Sequence, residues 1–105
     1  VSQMLLGAGA IHAQDDTWRT PLHYSADAGH EEMSQMLLVA GANVDAATRE
    51  GKTPLHCSAY YGHVELSQIL LGAGARVYCT DEEGRTPLHV SAANGHVEVS
   101  QMLVG

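Results

Sequence analysis

The seven histidines are the side chains of this 105-residue chain most able to do chemistry, because imidazole binds metals and exchanges protons near neutral pH. Six of them form two sets whose members lie 33 residues apart: His23, His56 and His89, and His30, His63 and His96. The two sets follow each other as H-x6-H, whereas zinc sites use H-x3–5-H, and the chain has no C-x-x-C. The sequence therefore predicts no metal site.

Acidic pairs are the second candidate for catalysis. They occur at three places: Asp15-Asp16, Glu31-Glu32 and Glu82-Glu83. Each pair falls in a predicted turn or at a predicted helix start, where carboxylates are solvated or interact with the helix dipole. The chain has no G-x-S-x-G, P-loop or H-E-x-x-H motif, and nothing pairs a nucleophile with a base. We therefore predict a protein that is not an enzyme and needs no cofactor.

Charge and cysteine content narrow the choice of partner. The chain has 5 basic and 12 acidic residues, a formal charge of −7, which argues against nucleic acid and anionic membranes because both are bound mainly through Lys and Arg. It favours a protein partner with a neutral or basic contact surface. Cys57 and Cys79 recur in no other repeat and form no disulfide framework, so we interpret both as free thiols of an intracellular protein, in the cytoplasm or nucleus.

The histidines belong to a segment that is repeated along the chain. Thr-Pro-Leu-His occurs at 20–23, 53–56 and 86–89. Each copy is followed by Gly-His and then by Ser-Gln-Met/Ile-Leu. In the middle copy, Thr53 is suited to cap a helix, Pro54 to occupy its first position and Gly62 to end it. Leu66 and Leu70 then lie on one apolar stripe of a second helix.

This frame resembles the ankyrin repeat family, whose unit is a β-turn plus two short helices with T-P-L-H-x-A near its start. The resemblance covers essentially all 105 residues and implies an all-α repeat solenoid of helix-turn-helix units joined by β-turn loops. It implies one array with whole units at 15–47 and 48–80, between partial units at 1–14 and 81–105. In this family the repeated histidines hydrogen-bond loops and neighbouring repeats.

The resemblance also implies a binding surface, because the family contacts partners through its loop tips and the concave side of its first helices. The candidate residues are Asp16, Thr17, Trp18, Arg19, Asp27, Arg49, Glu50, Lys52, Tyr60, Tyr61, Glu82, Glu83, Arg85 and Asn94. Tyr60 and Tyr61 stand side by side in the middle unit, and tyrosines anchor interfaces because they bury much area at little rotamer cost. We predict that at least one of them is exposed at the interface.

Trp18 and Tyr24 depart from the repeat. Trp18 occupies the place of Gly51 and Gly84, and a bulky residue resists the positive φ that glycine can take there. The same loop is one residue short, so we predict that its tip has its own shape. Trp18 is interpreted as a binding anchor or as a cover for the N-terminal end. Tyr24 is predicted to pack in the core, because Cys57 occupies the equivalent position.

Serines depart from the family pattern at two positions of each unit. They stand at 25, 58 and 91 in place of an alanine, and at 34, 67 and 100 in place of an aliphatic residue. The hydroxyls could form a ladder between helices, but we expect each to bond a carbonyl one turn back.

The predicted function is non-catalytic binding of a partner protein around Tyr60 and Tyr61, with acidic flanks. Two alternatives stay open, namely a structural spacer within a longer array and a designed or selected binder. The chain begins and ends within a second helix, so self-association through uncapped ends is also expected. The apolar residues concerned are Val1, Met4, Leu5, Val99, Met102 and Leu103.

Overall fold

Residues 12–104 are described by the structure, a computed structural model, and in that range helices are joined by turns without any β-strand. The range contains six helices in three pairs: α1 (Pro21–Ala28), α2 (Glu31–Val39), α3 (Pro54–Tyr61), α4 (Val64–Gly72), α5 (Pro87–Ala93) and α6 (Val97–Val104). α1, α3 and α5 pack side by side in one layer, and α2, α4 and α6 form the second. This confirms the predicted all-helical repeat solenoid.

The predicted unit boundaries stay a prediction. The expected ends Val1, Met4 and Leu5 lie outside the described residues, as does the part of the first loop before His12. At the other end Val99 is fully buried, whereas Val97 and Val104 are exposed. The expectation that Val99 is an exposed apolar residue at this end is therefore wrong.

The Thr-Pro step starts each first helix. Thr53 is extended, and its hydroxyl accepts a hydrogen bond from the backbone N–H of His56 at 3.3 Å, which satisfies one donor that a helix start leaves free. Pro54 takes the first position, where its missing N–H costs nothing. α3 ends at Gly62, whose φ of 72° lies in the left-handed region that glycine adopts without strain. The predicted start and end of this helix are confirmed.

The first set of histidines links each unit to the next. Nδ1 of His56 accepts a hydrogen bond from the backbone N–H of Thr53 at 3.1 Å, so it carries no proton. Nε2 therefore carries the proton and donates it to the carbonyl oxygen of Arg85, one unit further on, at 2.9 Å. His23 donates in the same way to the carbonyl oxygen of Lys52 at 2.9 Å. The neutral imidazole is thus fully bonded, and a second proton would break the bond from the threonine.

Acid is expected to destabilise the protein below about pH 6.5, the ordinary pKa of histidine. Burial lowers the pKa of both His23 and His56, so in this range the unfolded chain binds more protons than the folded one. The neutral rings contribute their full stability above the pKa that histidine has in the unfolded chain. This contribution is lost as the pH falls through the lower pKa of these histidines in the folded protein. Urea unfolding at a series of pH values between about 7.5 and 5 measures this loss.

The double variant His23→Gln/His56→Gln is the control for this prediction. A glutamine three residues after the capping threonine can still reach its backbone N–H, but it does not titrate. The free energy of unfolding of the variant should depend less on pH than that of the parent. An equal dependence would show that other groups cause the acid sensitivity.

The second set of histidines bonds backward, to the preceding unit. Nε2 of His63 donates to the carbonyl oxygen of Asp27 and Nε2 of His96 to that of Tyr60, each at 2.9 Å. These bonds hold the imidazoles against Gly29 and Gly62, which end the first helices of the preceding units. Four of the six repeated histidines, two from each set, therefore bond the backbone of a neighbouring unit, as the resemblance implies.

Between the helix layers lies a core of leucines and a row of serine pairs. Leu22, Leu55 and Leu70 are fully buried. The hydroxyl pairs are Ser25–Ser34 at 2.8 Å, Ser58–Ser67 at 2.9 Å and Ser91–Ser100 at 2.8 Å. Ser58 also lies 3.2 Å from the carbonyl oxygen of Leu55, one turn back. The expected bond to a carbonyl one turn back is therefore present, and Ser25, Ser34 and Ser91 make it as well. The ladder between helices, which was the other possibility, is present beside it.

Candidate functional site

A groove of about 290 Å³ runs across the three first helices on the side of the loops. Seven of the predicted site residues line it: Arg19, Asp27, Lys52, Tyr60, Tyr61, Arg85 and Asn94. The other seven lie beside it on the loop tips, which we define as residues 16–18, 49–51 and 82–84: Asp16, Thr17, Trp18, Arg49, Glu50, Glu82 and Glu83. The 33-residue repeat brings equivalent positions of successive units to neighbouring places, so residues far apart in sequence form one surface.

Tyr60 and Tyr61 form the aromatic wall of the groove. They occupy the last turn of α3 and remain 50 % and 52 % exposed. Their ring centroids are 4.8 Å apart and the ring planes meet at 83°, an edge-to-face arrangement that aromatic pairs favour. The ring of Tyr61 also lies 5.9 Å from that of His63. The two side chains are thus held by neighbours and still present about half of their surface to solvent.

One cation from each unit lines the groove: Arg19, Lys52 and Arg85. Each precedes the threonine that caps a first helix, which explains the common position. Each also has an acidic neighbour. Arg19 pairs with Asp27, the Lys52 ammonium lies 3.5 Å from Glu50, and the Arg85 guanidinium lies 3.1 Å from Asp81 and 2.6 Å from Glu83.

The floor of the groove is chemically inert. His56 is buried, and both of its ring nitrogens are engaged in the link between units. Burial raises the pKa of the Cys57 thiol to about 11, so at neutral pH it is protonated and a poor nucleophile. Cys57 and Cys79 are both free thiols, as predicted. The groove therefore offers shape, charge and aromatic surface for binding.

The three loop tips share one turn geometry. In the last loop the Asp81 carboxylate accepts hydrogen bonds from the backbone N–H groups of Glu83 and Arg85, each at 2.9 Å. Asp15 and Thr48 accept the equivalent bonds in the other two loops. Successive tips are also bonded to each other. The N–H of Arg49 donates to the carbonyl of Thr17 at 2.9 Å, and that of Glu82 to the carbonyl of Glu50 at 2.7 Å.

Trp18 adopts the same turn as the glycines that it replaces. Its φ of 67° is close to the 79° of Gly51 and of Gly84. Among residues 12–104, no other residue except glycine has a positive φ. The prediction that this loop tip has its own shape was therefore wrong, because the Asp15 bonds and the stacking on the next tip impose the common turn. The indole is 48 % exposed and lies under the guanidinium of Arg49, which is 5.2 Å from the ring centroid.

Replacement of Trp18 by glycine is expected to stabilise the fold. Glycine relieves a left-handed strain of about 1–2 kcal/mol, while the lost cation–π contact with Arg49 costs about 0.5–1 kcal/mol. We expect a net gain of up to about 1 kcal/mol in the free energy of unfolding, measured with urea. Gly84→Ala is the converse control, because a Cβ there has no neighbour within 4 Å and adds only the strain. A loss of stability in Trp18→Gly would show that the indole contacts outweigh the strain.

Tyr24 lies on the surface of the protein, where the sequence interpretation did not place it. It is 53 % exposed, so its predicted place in the core is wrong. Its hydroxyl donates to the Asp15 carboxylate, and the Arg19 guanidinium lies 4.8 Å from its ring centroid. The hydrogen bond from Tyr24, together with that from the N–H of Arg19, holds the pKa of Asp15 well below its usual range. The hydrogen bond to Asp15 raises the pKa of Tyr24. Asp15 and Arg19 of the preceding loop contact the tyrosine side chain at the surface. Cys57, at the equivalent position, makes no such contact and is buried.

No group of three His, Cys, Asp or Glu side chains between residues 12 and 104 is placed to share a metal ion. Within the same range no helix has the length and the apolar character to cross a bilayer. The sequence matches the family model of ankyrin repeats, in three copies, over residues 1–81 and 37–105. The two matches together span the whole chain.

Proposed function

Because the chain belongs to the ankyrin repeat family, whose repeats are generally protein–protein interaction modules, we propose that it binds a partner protein through the groove and the loop tips. The family is typically non-enzymatic, and the proposed role is binding without catalysis or cofactor. The observation that carries the proposal is the pair Tyr60 and Tyr61. Two adjacent tyrosines, each half exposed and fixed by neighbours, have the character of interface hot spots.

The loop tips favour a partner surface that is neutral or basic. Asp16, Glu50, Glu82 and Glu83 are all exposed there, and Arg49 is the only tip residue of opposite charge. Charges on an interface rim steer association and suppress partners of like charge. The proposal therefore excludes nucleic acid and anionic membranes as partners. It places the protein inside the cell, which the two free thiols support because disulfides persist in oxidising compartments.

Self-association is a second proposed contact. Val97 and Val104 are 65 % and 73 % exposed on α6, and with Ala92 and Gly95 they form a largely apolar surface. Burying such a surface against a second copy would remove it from water. Light scattering on the free chain shows whether this occurs, and it must precede any binding measurement.

The proposed function predicts that Tyr60→Ala/Tyr61→Ala weakens binding of a partner isolated with the parent chain by about 2 kcal/mol or more, because hot-spot anchors cost this much when truncated. Titration calorimetry measures the affinity and circular dichroism the helix content. Tyr78→Ala is the matched control, since Tyr78 is 85 % exposed and does not line the groove.

Two results would contradict the proposal. If the double variant binds as well as the parent, the groove is not the interface, and a spacer role gains support. If the double variant loses its helix content, the tyrosines act in folding and not in recognition. In either case the Tyr78→Ala control must bind normally for the comparison to be valid.

A further inference from the structure

Trp18 is held in a backbone conformation that its side chain disfavours. Its φ of 67° lies in the left-handed region, where a Cβ comes too close to the following carbonyl oxygen, and the equivalent residues of the other two loop tips are glycines. The cation–π contact with Arg49 offsets only part of this strain. Strained residues cluster at binding sites, where a function outweighs their cost to the fold. The strain at Trp18 therefore points to a role of its exposed surface in recognition.

The exposed part of the indole is suited to a cation. Trp18 is 48 % exposed, and indole is the aromatic ring that attracts cations most strongly. Arg49 already makes this contact, with its guanidinium 5.2 Å from the ring centroid. Because about half of the Trp18 surface stays in solvent beside Arg49, a second cation that a partner supplies can contact the same side chain.

The charges of the loop tips favour a basic partner group beside Trp18. Two of the four tip carboxylates are already paired with basic side chains. The other two, Asp16 and Glu82, are exposed, and among residues 12–104 no basic nitrogen lies within 4.0 Å of them. Arg49 is the one tip cation that stands against these two carboxylates. The unpaired charge of the tips is therefore negative, and Asp16 lies only two residues before Trp18.

Arginine is the basic side chain that fits these two features together. Its planar guanidinium stacks on aromatic faces and is more weakly hydrated than the ammonium group of lysine. It can also donate two parallel hydrogen bonds to one carboxylate. An arginine side chain can therefore stack on the indole of Trp18 and still present N–H donors to a carboxylate of the same turn.

We propose that Trp18 is a recognition residue of the loop tips and binds an arginine side chain of the partner protein. This inference rests on the proposed function, and it names the tip residue that recognises the basic part of the partner surface. The partner guanidinium lies on the open part of the indole, and Asp16 balances its charge. The tyrosine pair in the groove contacts a different part of the partner.

The test uses the full chain and two capped tripeptides that differ in charge, Gly-Arg-Gly and its analogue with the uncharged residue citrulline in place of arginine. Trp18 is the only tryptophan of the chain, so its indole N–H gives a single signal in a nitrogen-15 NMR spectrum. NMR detects the weak affinity expected for one side chain. At about 0.15 M salt, where the Debye length is about 8 Å, the arginine peptide should shift this signal. The citrulline peptide should shift it about fivefold less at equal concentration, because it lacks the cation–π attraction.

Three variants separate recognition from net charge and from folding. Asp16→Asn should reduce the shift about twofold, since it removes one exposed charge partner. Glu98→Gln is the matched control, because it makes the same change in net charge on α6, away from the loop tips, and it should leave the shift unchanged. In Trp18→Gly the backbone amide signals of Thr17 and Arg49 should no longer respond to the arginine peptide. Urea unfolding of this variant should show a protein at least as stable as the parent.

Equal shifts with the two peptides, equal effects of Asp16→Asn and Glu98→Gln, or no shift at all would each overturn the inference. A Trp18→Gly variant that still responds to the arginine peptide would overturn it too. So would one that unfolds more easily than the parent, because the indole would then serve the fold. The proposed function would survive these results if Tyr60→Ala/Tyr61→Ala still weakened binding of a protein partner, and it would fail separately if that variant bound normally.

Discussion

Gly62→Ala is expected to destabilise the protein by about 3 kcal/mol, because it adds both backbone strain and a steric clash between units. Gly62 has a φ of 72°, which costs an L-residue about 1–2 kcal/mol. A Cβ at this position would also lie 2.5 Å from Nδ1 of His96. The imidazole cannot move aside freely, since its Nε2 donates to the carbonyl of Tyr60.

Gly95→Ala separates the two causes. Gly95 occupies the same place in its unit with a φ of 73°, but a Cβ there has no neighbour within 4 Å. This variant should lose only the strain, about 1–2 kcal/mol. Urea unfolding of both variants measures the difference. Equal losses would mean that the packing of His96 on Gly62 contributes nothing to the joining of the units.

His56→Leu is expected to cost about 3 kcal/mol, because it leaves the buried N–H of Thr53 without a partner, which costs about 1–3 kcal/mol, and removes a second hydrogen bond worth about 0.5–1.5 kcal/mol. That second bond goes to the carbonyl of Arg85, which keeps the N–H of Asp81 as a partner. The backbone N–H of Thr53 loses Nδ1, and the carbonyl of Arg85 loses Nε2. Both His56 and Thr53 are almost fully buried, so water cannot replace the lost bonds without disturbing the packing. The variant should unfold at a lower urea concentration, as followed by circular dichroism.

His89→Leu is the matched control. His89 makes the same contacts to Thr86, with Nδ1 3.0 Å from the backbone N–H, but it is exposed. Water can therefore satisfy the groups that the leucine leaves open, and we expect a loss of less than about 1 kcal/mol. A loss as large as that of His56→Leu would show that the cap within the unit matters, and that the bond to the next unit does not.

The repeat made most of the fold predictable. Thr53, Pro54 and Gly62 set the start and end of a helix through local backbone chemistry, which depends on a few adjacent residues. The same segment recurs every 33 residues, so one correct interpretation extends to the other copies. The same repeat sets the positions of the fourteen candidate residues, of which seven line the groove and seven lie on the loop tips. Their role in binding stays a prediction.

The sequence by itself determined the helices and their order, because these follow from local signals repeated in register. Only the tertiary structure decided the position of Tyr24, which hydrogen bonds to its own loop draw out of the core, and the turn at Trp18, which the bonds of Asp15 and of the next tip force to positive φ. The tertiary structure also brought Arg19, Lys52 and Arg85 into one groove. Net charge is a sum over the chain, whereas the charged side chains that share a groove are decided by the packing of the units.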